Sequence, residues 1–300
     1  MRFLSVCILV LFISLSSSAQ RWNKYRYEGV IGIGATNFLG DLGGANQIGT
    51  NGLRDLELIL TRPSFSAGMR YRIYQHWSAK GTLAWGIIRG DDKLTKEPYR
   101  NNRNLHFRSH VIELSAVLEG HLTKEQKGHR YKIKGAKGWK NIEINSYGFV
   151  GIAVIYHNPM AKYKNGGWYA LQPLGTEGQG IKPGLKKYSR VTVAIPIGIG
   201  FKHLFGRYFS LGIEAGMRKT FTDYMDDVST LYYTDSIRAF YNNDPLHVFF
   251  ADPSEGLGWS PRSVLQGQQR GDPKDKDAYM FIHITLGHKI IYRKRTRSKF

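Results

Sequence analysis

Cysteine is almost absent from this sequence, and long apolar runs are confined to its start. Cys7 is the only cysteine among 300 residues. Cleavage beyond it would leave no thiol for disulfides or for thiolate catalysis. After residue 15, no stretch approaches the ~20 apolar residues that a membrane helix needs. Any membrane-spanning structure in this chain would therefore have to consist of β-strands.

The first nineteen residues are typical of a secretory signal peptide. Arg2 supplies one positive charge, residues 3–15 are mostly apolar, and a run of serines leads to Ala19. This pattern predicts export and cleavage after Ala19. No apolar region precedes Cys7, so we do not expect a lipid anchor. Export places the chain outside the cytoplasm.

Acidic residues are few compared with basic ones. The chain has 43 lysines and arginines against 23 acidic residues, a formal net charge of +20. Such an excess is typical of proteins that bind nucleic acid or a membrane surface. Export argues against nucleic acid, which leaves a membrane surface or an acidic protein as the partner.

Strict alternation of apolar and polar side chains is the clearest structural signal. It predicts strands whose two faces meet different environments. The pattern is clean in three segments, 65–73, 77–87 and 190–202. Five further segments fit less cleanly: 27–36, 107–118, 145–156, 208–219 and 278–292. These lengths, about 10 to 15 residues, suit tilted strands that cross a bilayer.

The connections between these segments alternate between short and long. Gln75-His76 and residues 205–207 are tight turns, whereas the other ends carry long loops. This alternation predicts an all-β fold, an eight-stranded antiparallel transmembrane β-barrel with long extracellular loops and periplasmic termini. The expected organisation is a signal peptide at 1–19, an outer-membrane barrel at 20–292 and a basic periplasmic tail at 293–300.

The two faces of the predicted strands have different expected neighbours. Eight apolar residues should contact lipid: Met69, Leu83, Ile112, Leu114, Ile195, Ile213, Ile282 and Ile284. In an eight-stranded barrel the interior only accommodates side chains, so inward charges must pair. The expected interior charge network comprises Arg70, Arg72, Lys80, Glu113, Glu214 and Arg218.

One periplasmic connection, residues 119–144, is long and strongly basic where barrels of this class have short turns. Aromatic and aliphatic residues are interleaved with its cations, as they are at interaction surfaces. The expected partner-binding residues are Lys132, Lys134, Lys137, Trp139 and Lys140.

Four segments resemble a specific family. They are Asn37-Phe38-Leu39-Gly40-Asp41-Leu42-Gly43-Gly44, residues 171–180 (LQPLGTEGQG), residues 218–229 (RKTFTDYMDDVS) and residues 270–273 (RGDP). Together they are similar to the PorG-type barrels of the type IX secretion system. The resemblance implies a non-enzymatic subunit that ties a periplasmic ring, made of a PorK-like lipoprotein and PorN, to the outer membrane.

The sequence supports a structural interpretation of three further motifs better than it supports a cofactor, catalytic or calcium site. Residues 32–37 lack the third glycine of a dinucleotide fingerprint, and no cofactor or small-molecule substrate is expected. Alternation points Ser109 and Glu113 inward and His110 outward, which disfavours a hydrolase relay. Asp223, Asp226 and Asp227, together with Asp235, lack the glycine and the ligand spacing of a calcium loop, so we interpret them as part of a solvated acidic loop. The alternative to a secretion anchor is a passive structural or adhesive barrel acting through its outer loops.

Overall fold

The computed structural model describes residues 25–40, 42, 60–95, 98–123, 144–164, 166–205, 208–254 and 267–291. The expected signal peptide and basic tail lie outside these ranges. Residues 124–143 do too, and they include all five residues expected to bind a partner.

The described residues form nine strands, three short α-helices and a single 3-10 turn at Asp92–Leu94. The strands are β1 (Tyr27–Leu39), β2 (Arg62–Arg72), β3 (Trp77–Asp91), β4 (His106–His121), β5 (Ile144–Lys162), β6 (Trp168–Ala170), β7 (Val191–Phe205), β8 (Phe209–Thr220) and β9 (Ala278–Ile290). The helices are α1 (Pro98–Arg103), α2 (Thr234–Phe240) and α3 (Pro245–Ala251), all in outer loops. Within the described part of the chain, no helix combines the length and apolar composition needed to cross a membrane.

Eight of the strands close into a barrel. Each long strand pairs antiparallel with the next, and β1 completes the ring by pairing with β9 from Tyr27↔Ile290 to Leu39↔Ala278. The short β6 pairs only with the outer end of β5. Closure satisfies the backbone hydrogen bonds of both edges without a further chain. The prediction of an eight-stranded antiparallel barrel is confirmed.

Some strands continue beyond their predicted outer ends. β5 runs to Lys162 rather than Tyr156, and β3 runs to Asp91 rather than Ile87. The extensions are hydrogen-bonded, because Asp91 pairs with His106 and Lys162 pairs with Trp168. Pairing between neighbouring strands therefore sustains the ladder where the alternation of the sequence weakens.

Apolar side chains cover the outer face of the barrel. In β4, Ile112, Leu114 and Leu118 are exposed, whereas the alternate residues Glu113 and Ser115 are buried. The same periodicity holds around the ring, as expected from the two-residue repeat of a strand. All eight residues expected to contact lipid are among the exposed large hydrophobics: Met69, Leu83, Ile112, Leu114, Ile195, Ile213, Ile282 and Ile284.

Glycines make room for large aromatic rings inside the barrel. Gly198 and Gly216 lie opposite each other in β7 and β8, and the Phe149 ring occupies the space that their Cβ atoms would need. The Tyr147 ring occupies the corresponding space at Gly200. A side chain at these positions would collide with the ring, so the glycines allow two inward aromatics to fill a narrow lumen.

The apolar core lies at the outer end of the barrel, where the loops meet the strands. Phe38, Phe107 and Phe281 from the strands pack with Met225 and Phe250 from the loop between β8 and β9. We call the loop residues 171–190, 221–254 and 267–277, together with Leu42, the cap. Because its core is continuous with that of the barrel, the cap is part of the same folded unit.

Ile197→Arg tests the assignment of the outer face. Ile197 is exposed near the middle of β7, paired with Val150 and Met217. Arginine at mid-depth should lower the free energy of folding into a bilayer by about 2 to 4 kcal/mol, whereas Val191→Arg at the outer end of the same strand should cost about 0 to 1 kcal/mol. Equilibrium folding into lipid vesicles measures both. Equal costs would show that this face does not lie in hydrocarbon.

Candidate functional site

A cluster of six charged side chains fills the half of the lumen near the termini. Arg70 lies at its centre, with its Nη1 2.8 Å from Glu28, its Nε 2.6 Å from Glu119 and its Nη2 3.1 Å from Glu214. We call this group, with Lys80 and Lys202, the lumen cluster. Lys80 Nζ lies 2.6 Å from Glu214, and Lys202 Nζ lies 3.2 Å from Glu28.

The lumen cluster is electrically balanced and hydrogen-bonded. Its three carboxylates face three cations, and all six residues are at least about nine-tenths buried. Tyr147 donates its hydroxyl proton to Glu214 at 2.5 Å and accepts a hydrogen bond from Arg70 at 3.2 Å. Such pairing is what makes buried charges tolerable in a space with little water.

A separate ion pair lies closer to the cap. Arg218 Nε lies 3.0 Å from Glu113, and Tyr279 donates its hydroxyl to the same carboxylate at 2.6 Å. The Arg218 guanidinium also lies over the Phe281 ring, 4.7 Å from its centroid. This pair connects the charged interior to the apolar core of the outer end.

The structure thus divides the six residues of the expected network. Arg70, Lys80 and Glu214 meet in the lumen cluster, Glu113 and Arg218 form their own pair, and Arg72 is buried on the same face of β2 as Arg70.

Sequence reasoning left Glu28, Glu119 and Lys202 out of the expected network, although all three belong to the lumen cluster. It overlooked Glu119 because the predicted strand stopped at Leu118, although Glu119 continues the inward alternation from Glu113. It also left out Tyr147, whose inward position follows from the same alternation in β5.

The possible hydrolase residues do not meet. Ser109 faces the interior, where its hydroxyl accepts a hydrogen bond from the Asn158 amide, and Glu113 is engaged by Arg218. The His110 ring faces outward and stacks on Trp85, with centroids 5.8 Å apart. These three residues therefore cannot pass a proton from one to another in this arrangement.

Glu177 organises the cap. Its carboxylate accepts hydrogen bonds from the amides of Ser229 and Thr230, at 2.9 and 3.0 Å, and from the Thr230 hydroxyl at 2.7 Å. It also pairs with Arg270 at 2.9 Å. One buried side chain thereby joins the loop before β7 to both ends of the loop between β8 and β9.

Three aspartates of the β8–β9 loop are buried, and their interpretation as a solvated acidic loop is wrong. Asp226 accepts from the Leu42 amide at 3.2 Å. Asp227 accepts from Thr176 and Tyr188 at 2.5 and 2.6 Å, and Asp223 accepts from Ser229 at 2.6 Å. Composition cannot distinguish such acids from solvated ones, because their donors come from distant segments.

A buried salt bridge extends the cap toward the loop between β3 and β4. Arg103 Nε lies 2.7 Å from Asp92, and the Arg103 side chain also donates to the Arg270 carbonyl at 2.6 Å. Donors from the protein thus bind buried carboxylates both in the cap and in the loop between β3 and β4. Among the described residues, no three His, Cys, Asp or Glu side chains are arranged to hold a metal ion.

The expected partner-binding residues Lys132, Lys134, Lys137, Trp139 and Lys140 lie outside the described residues. The strand ends that flank them are described, because β4 ends at His121 and β5 begins at Ile144. Both ends lie at the same end of the barrel as the beginning of β1 and the end of β9, opposite the cap.

Glu113→Ala should lower the free energy of unfolding by about 3 kcal/mol, because Arg218 would be left buried without its carboxylate partner. Denaturant titration in detergent micelles, followed by circular dichroism, measures the loss. Adding Arg218→Met to the first substitution removes the uncompensated charge and should recover much of the stability. If the double variant is less stable than the single one, the two residues do not act as an ion pair.

The raised pKa of Asp227 predicts that the stability of the cap depends on pH. Burial raises the pKa of its carboxyl to about 6, although Arg270, Thr176 and Tyr188 favour the ionised form. Because this pKa is higher in the folded than in the unfolded chain, the folded cap binds the proton more tightly. Asp227 therefore contributes most to the stability of the cap below about pH 4. This contribution, roughly 3 kcal/mol, is lost as the pH rises to about 6.

Hydrogen exchange of cap amides across that pH range, corrected for intrinsic rates, measures this loss. Asp227→Asn keeps an acceptor oxygen but cannot ionise, so its cap should not lose this stability. If the wild type and Asp227→Asn lose cap stability equally as the pH rises, ionisation of Asp227 is not the cause.

Comparison with known proteins gives only distant similarities. No protein-family model and no curated protein sequence matches this chain. Among solved structures, Ail, the attachment invasion locus protein of Yersinia pestis, is 9% identical with a TM-score of 0.38, covering 89% of this chain and 99% of Ail. The outer membrane protein OprG from Pseudomonas aeruginosa is 8% identical with a TM-score of 0.34, covering 89% of this chain and 98% of OprG.

Proposed function

We propose that this chain is a non-enzymatic outer-membrane barrel of the type IX protein secretion machinery, and that it ties a periplasmic ring of PorK and PorN type to the membrane. The proposal has two parts, location in the outer membrane and attachment to the ring. Different residues support each part.

The apolar outer face supports location in a membrane. Each of the eight long strands exposes large apolar side chains, among them Ile33, Phe65, Leu114, Ile152 and Ile213. A belt that surrounds the whole barrel far exceeds the few hundred Å² of contiguous apolar surface that soluble monomers expose. A closed barrel is also one of the two structures whose backbone can cross hydrocarbon. The signal peptide expected from the sequence directs such a barrel to the outer membrane.

The cap is the observation that carries the secretion assignment. Described residues from all four family-like segments meet there: Leu42 contacts Asp226, Thr176 contacts Asp227, and Glu177 contacts Arg270. These segments are distant in sequence but form one hydrogen-bonded unit. The four segments that carry the resemblance to PorG-type barrels thus come together in this structure, which supports a shared role for them.

The filled interior supports a structural role over transport. The lumen cluster, the Glu113–Arg218 pair and the rings of Tyr147 and Phe149 occupy the space inside the strands. An eight-stranded barrel filled in this way offers no path for solutes. Contacts at its ends remain as the means of action, and the strand ends that flank the basic connection lie at the end opposite the cap.

The alternative is a passive structural or adhesive barrel that acts through its outer loops. The cap exposes the apolar side chains of Phe221 and Phe240. These exposed rings favour the alternative, because they are available to contact another molecule. The two functions place the essential surface at opposite ends of the barrel, so changes confined to one end distinguish them.

Charge reversal of Lys132, Lys134, Lys137 and Lys140 to Glu should weaken co-purification of periplasmic ring proteins, with slower association and steep salt dependence. Trp139→Ala should instead speed dissociation by removing an apolar anchor. Native extraction, affinity purification and mass spectrometry measure the retained proteins.

The matched control reverses four exposed lysines of the cap, Lys182, Lys186, Lys187 and Lys274. It makes the same change in charge at the opposite end and should leave the complex intact. Loss of ring proteins only in the control, or in neither variant, would argue against the anchor. In the first case the outer loops would be the essential surface.

A further inference from the structure

Two arginines face each other on the outer wall of the barrel, close to the cap. Arg89 of β3 pairs in register with Arg108 of β4, and both lie on the outward face because their neighbours Ile88 and Phe107 are buried. Like charges directly opposite each other destabilise a sheet. Lys162 of β5 also faces outward, and its backbone amide donates a hydrogen bond to the His106 ring at 2.9 Å. We call Arg89, Arg108, Lys162 and Trp168 the basic wall patch.

The patch is poorly neutralised by the described residues. Asp91 contacts Arg89 at 3.0 Å and is the single carboxylate that forms an ion pair with the patch in the described part of the chain. The Arg108 guanidinium lies 4.0 Å from the centroid of the Trp168 ring, and its Nε has no hydrogen-bond partner among the described residues. Stacking orients the guanidinium, and in the described part of the chain the Nε–H remains without an acceptor.

An exposed cation on the opposite wall provides a contrast. Lys219 lies at the outer end of β8, opposite Ile195, and faces outward like the patch residues. Its ammonium is 3.3 Å from Asp275 and also donates to the Lys276 carbonyl. The protein thus neutralises a cation at this level on one wall and leaves three cations around a single carboxylate on another.

The patch lies directly above the apolar belt. Moving down the same outward face, His110 stacks on Trp85, and Trp85 stacks on Phe65 with centroids 5.8 Å apart. Exposed Ile112 and Leu114 follow on β4. Aromatic rings are typical of the level where hydrocarbon gives way to headgroups. The basic wall patch therefore lies at the level of the outer headgroups.

We propose that the basic wall patch binds the phosphate headgroup of a lipid in the outer leaflet. Arg89 and Arg108 lie at paired positions on the outward face, and each guanidinium carries a fork of N–H donors that matches phosphate oxygens. A phosphate bound at this patch also offsets the repulsion between the two like charges. The acyl chains of the same molecule lie against the apolar wall below, a contact that free phosphate cannot make.

This inference rests on the proposed membrane location but not on the secretion role. The test uses the full barrel in phosphatidylcholine nanodiscs that contain either bisphosphorylated lipid A or its dephosphorylated form. Native mass spectrometry after release into detergent counts the lipid that remains bound. The wild type should retain the phosphorylated lipid in preference to the dephosphorylated one.

Arg89→Gln and Arg108→Gln should each weaken retention about tenfold, the factor expected for one lost charge-assisted hydrogen bond. Lys219→Gln removes an exposed cation at the same level and should leave retention unchanged. Arg108→Lys keeps the charge but loses the fork and should give an intermediate value. Circular dichroism establishes that each variant is folded.

Three results would overturn the inference: equal retention of both lipids, an equal loss in the Lys219→Gln control, or full displacement of the lipid by inorganic phosphate at equal concentration. The last result would identify a site for free phosphate. Failure of the wild-type barrel to enter nanodiscs would instead overturn the membrane location, so the two failures are distinguishable.

Discussion

The width of an eight-stranded lumen is the constraint on which the rest of the structure depends. The space accommodates side chains but little else, so an ionised inward group must find its counterion within the barrel. Arg70 meets this requirement with three carboxylates from three other strands, β1, β4 and β8. These contacts span the lumen and hold opposite walls together. The same residues that close the lumen thus also cross-link the barrel.

The cap applies the same rule outside the strands. Several of its acidic side chains can be buried because backbone amides, hydroxyls and arginines from other loops reach them, as at Glu177 and Asp226. Long loops lose much conformational entropy when they become ordered. Here the apolar core around Met225 and Phe250 offsets that loss. Buried polar contacts then select one arrangement of the loops, because an unpaired acid in that core would be costly.

The sequence predicts the strands of the barrel better than the contacts inside the lumen and in the cap. Alternation identified eight strands and the side of the sheet on which Glu113 and Ile112 lie, because a two-residue period is local. Which inward charge meets which depends on register and on the barrel's curvature, and neither is local. Glu119 lay just beyond a predicted strand end, and the burial of Asp227 depends on Thr176, fifty-one residues away. The cap was therefore the least predictable part.

The contrast between the two faces of β3 and β4 separates structural charges from those available to a ligand. Inside, Lys80 lies within 3.4 Å of two carboxylates, and Arg218 has Glu113. Outside, Arg89 and Arg108 face each other with Asp91 as their one acidic neighbour among the described residues. A sheet that neutralises its inward cations this thoroughly gains no stability from opposing two outward ones. The two arginines lie just above the aromatic side chains His110, Trp85 and Phe65 of the same wall. Binding of an external anion therefore explains their placement better than a role in stability does.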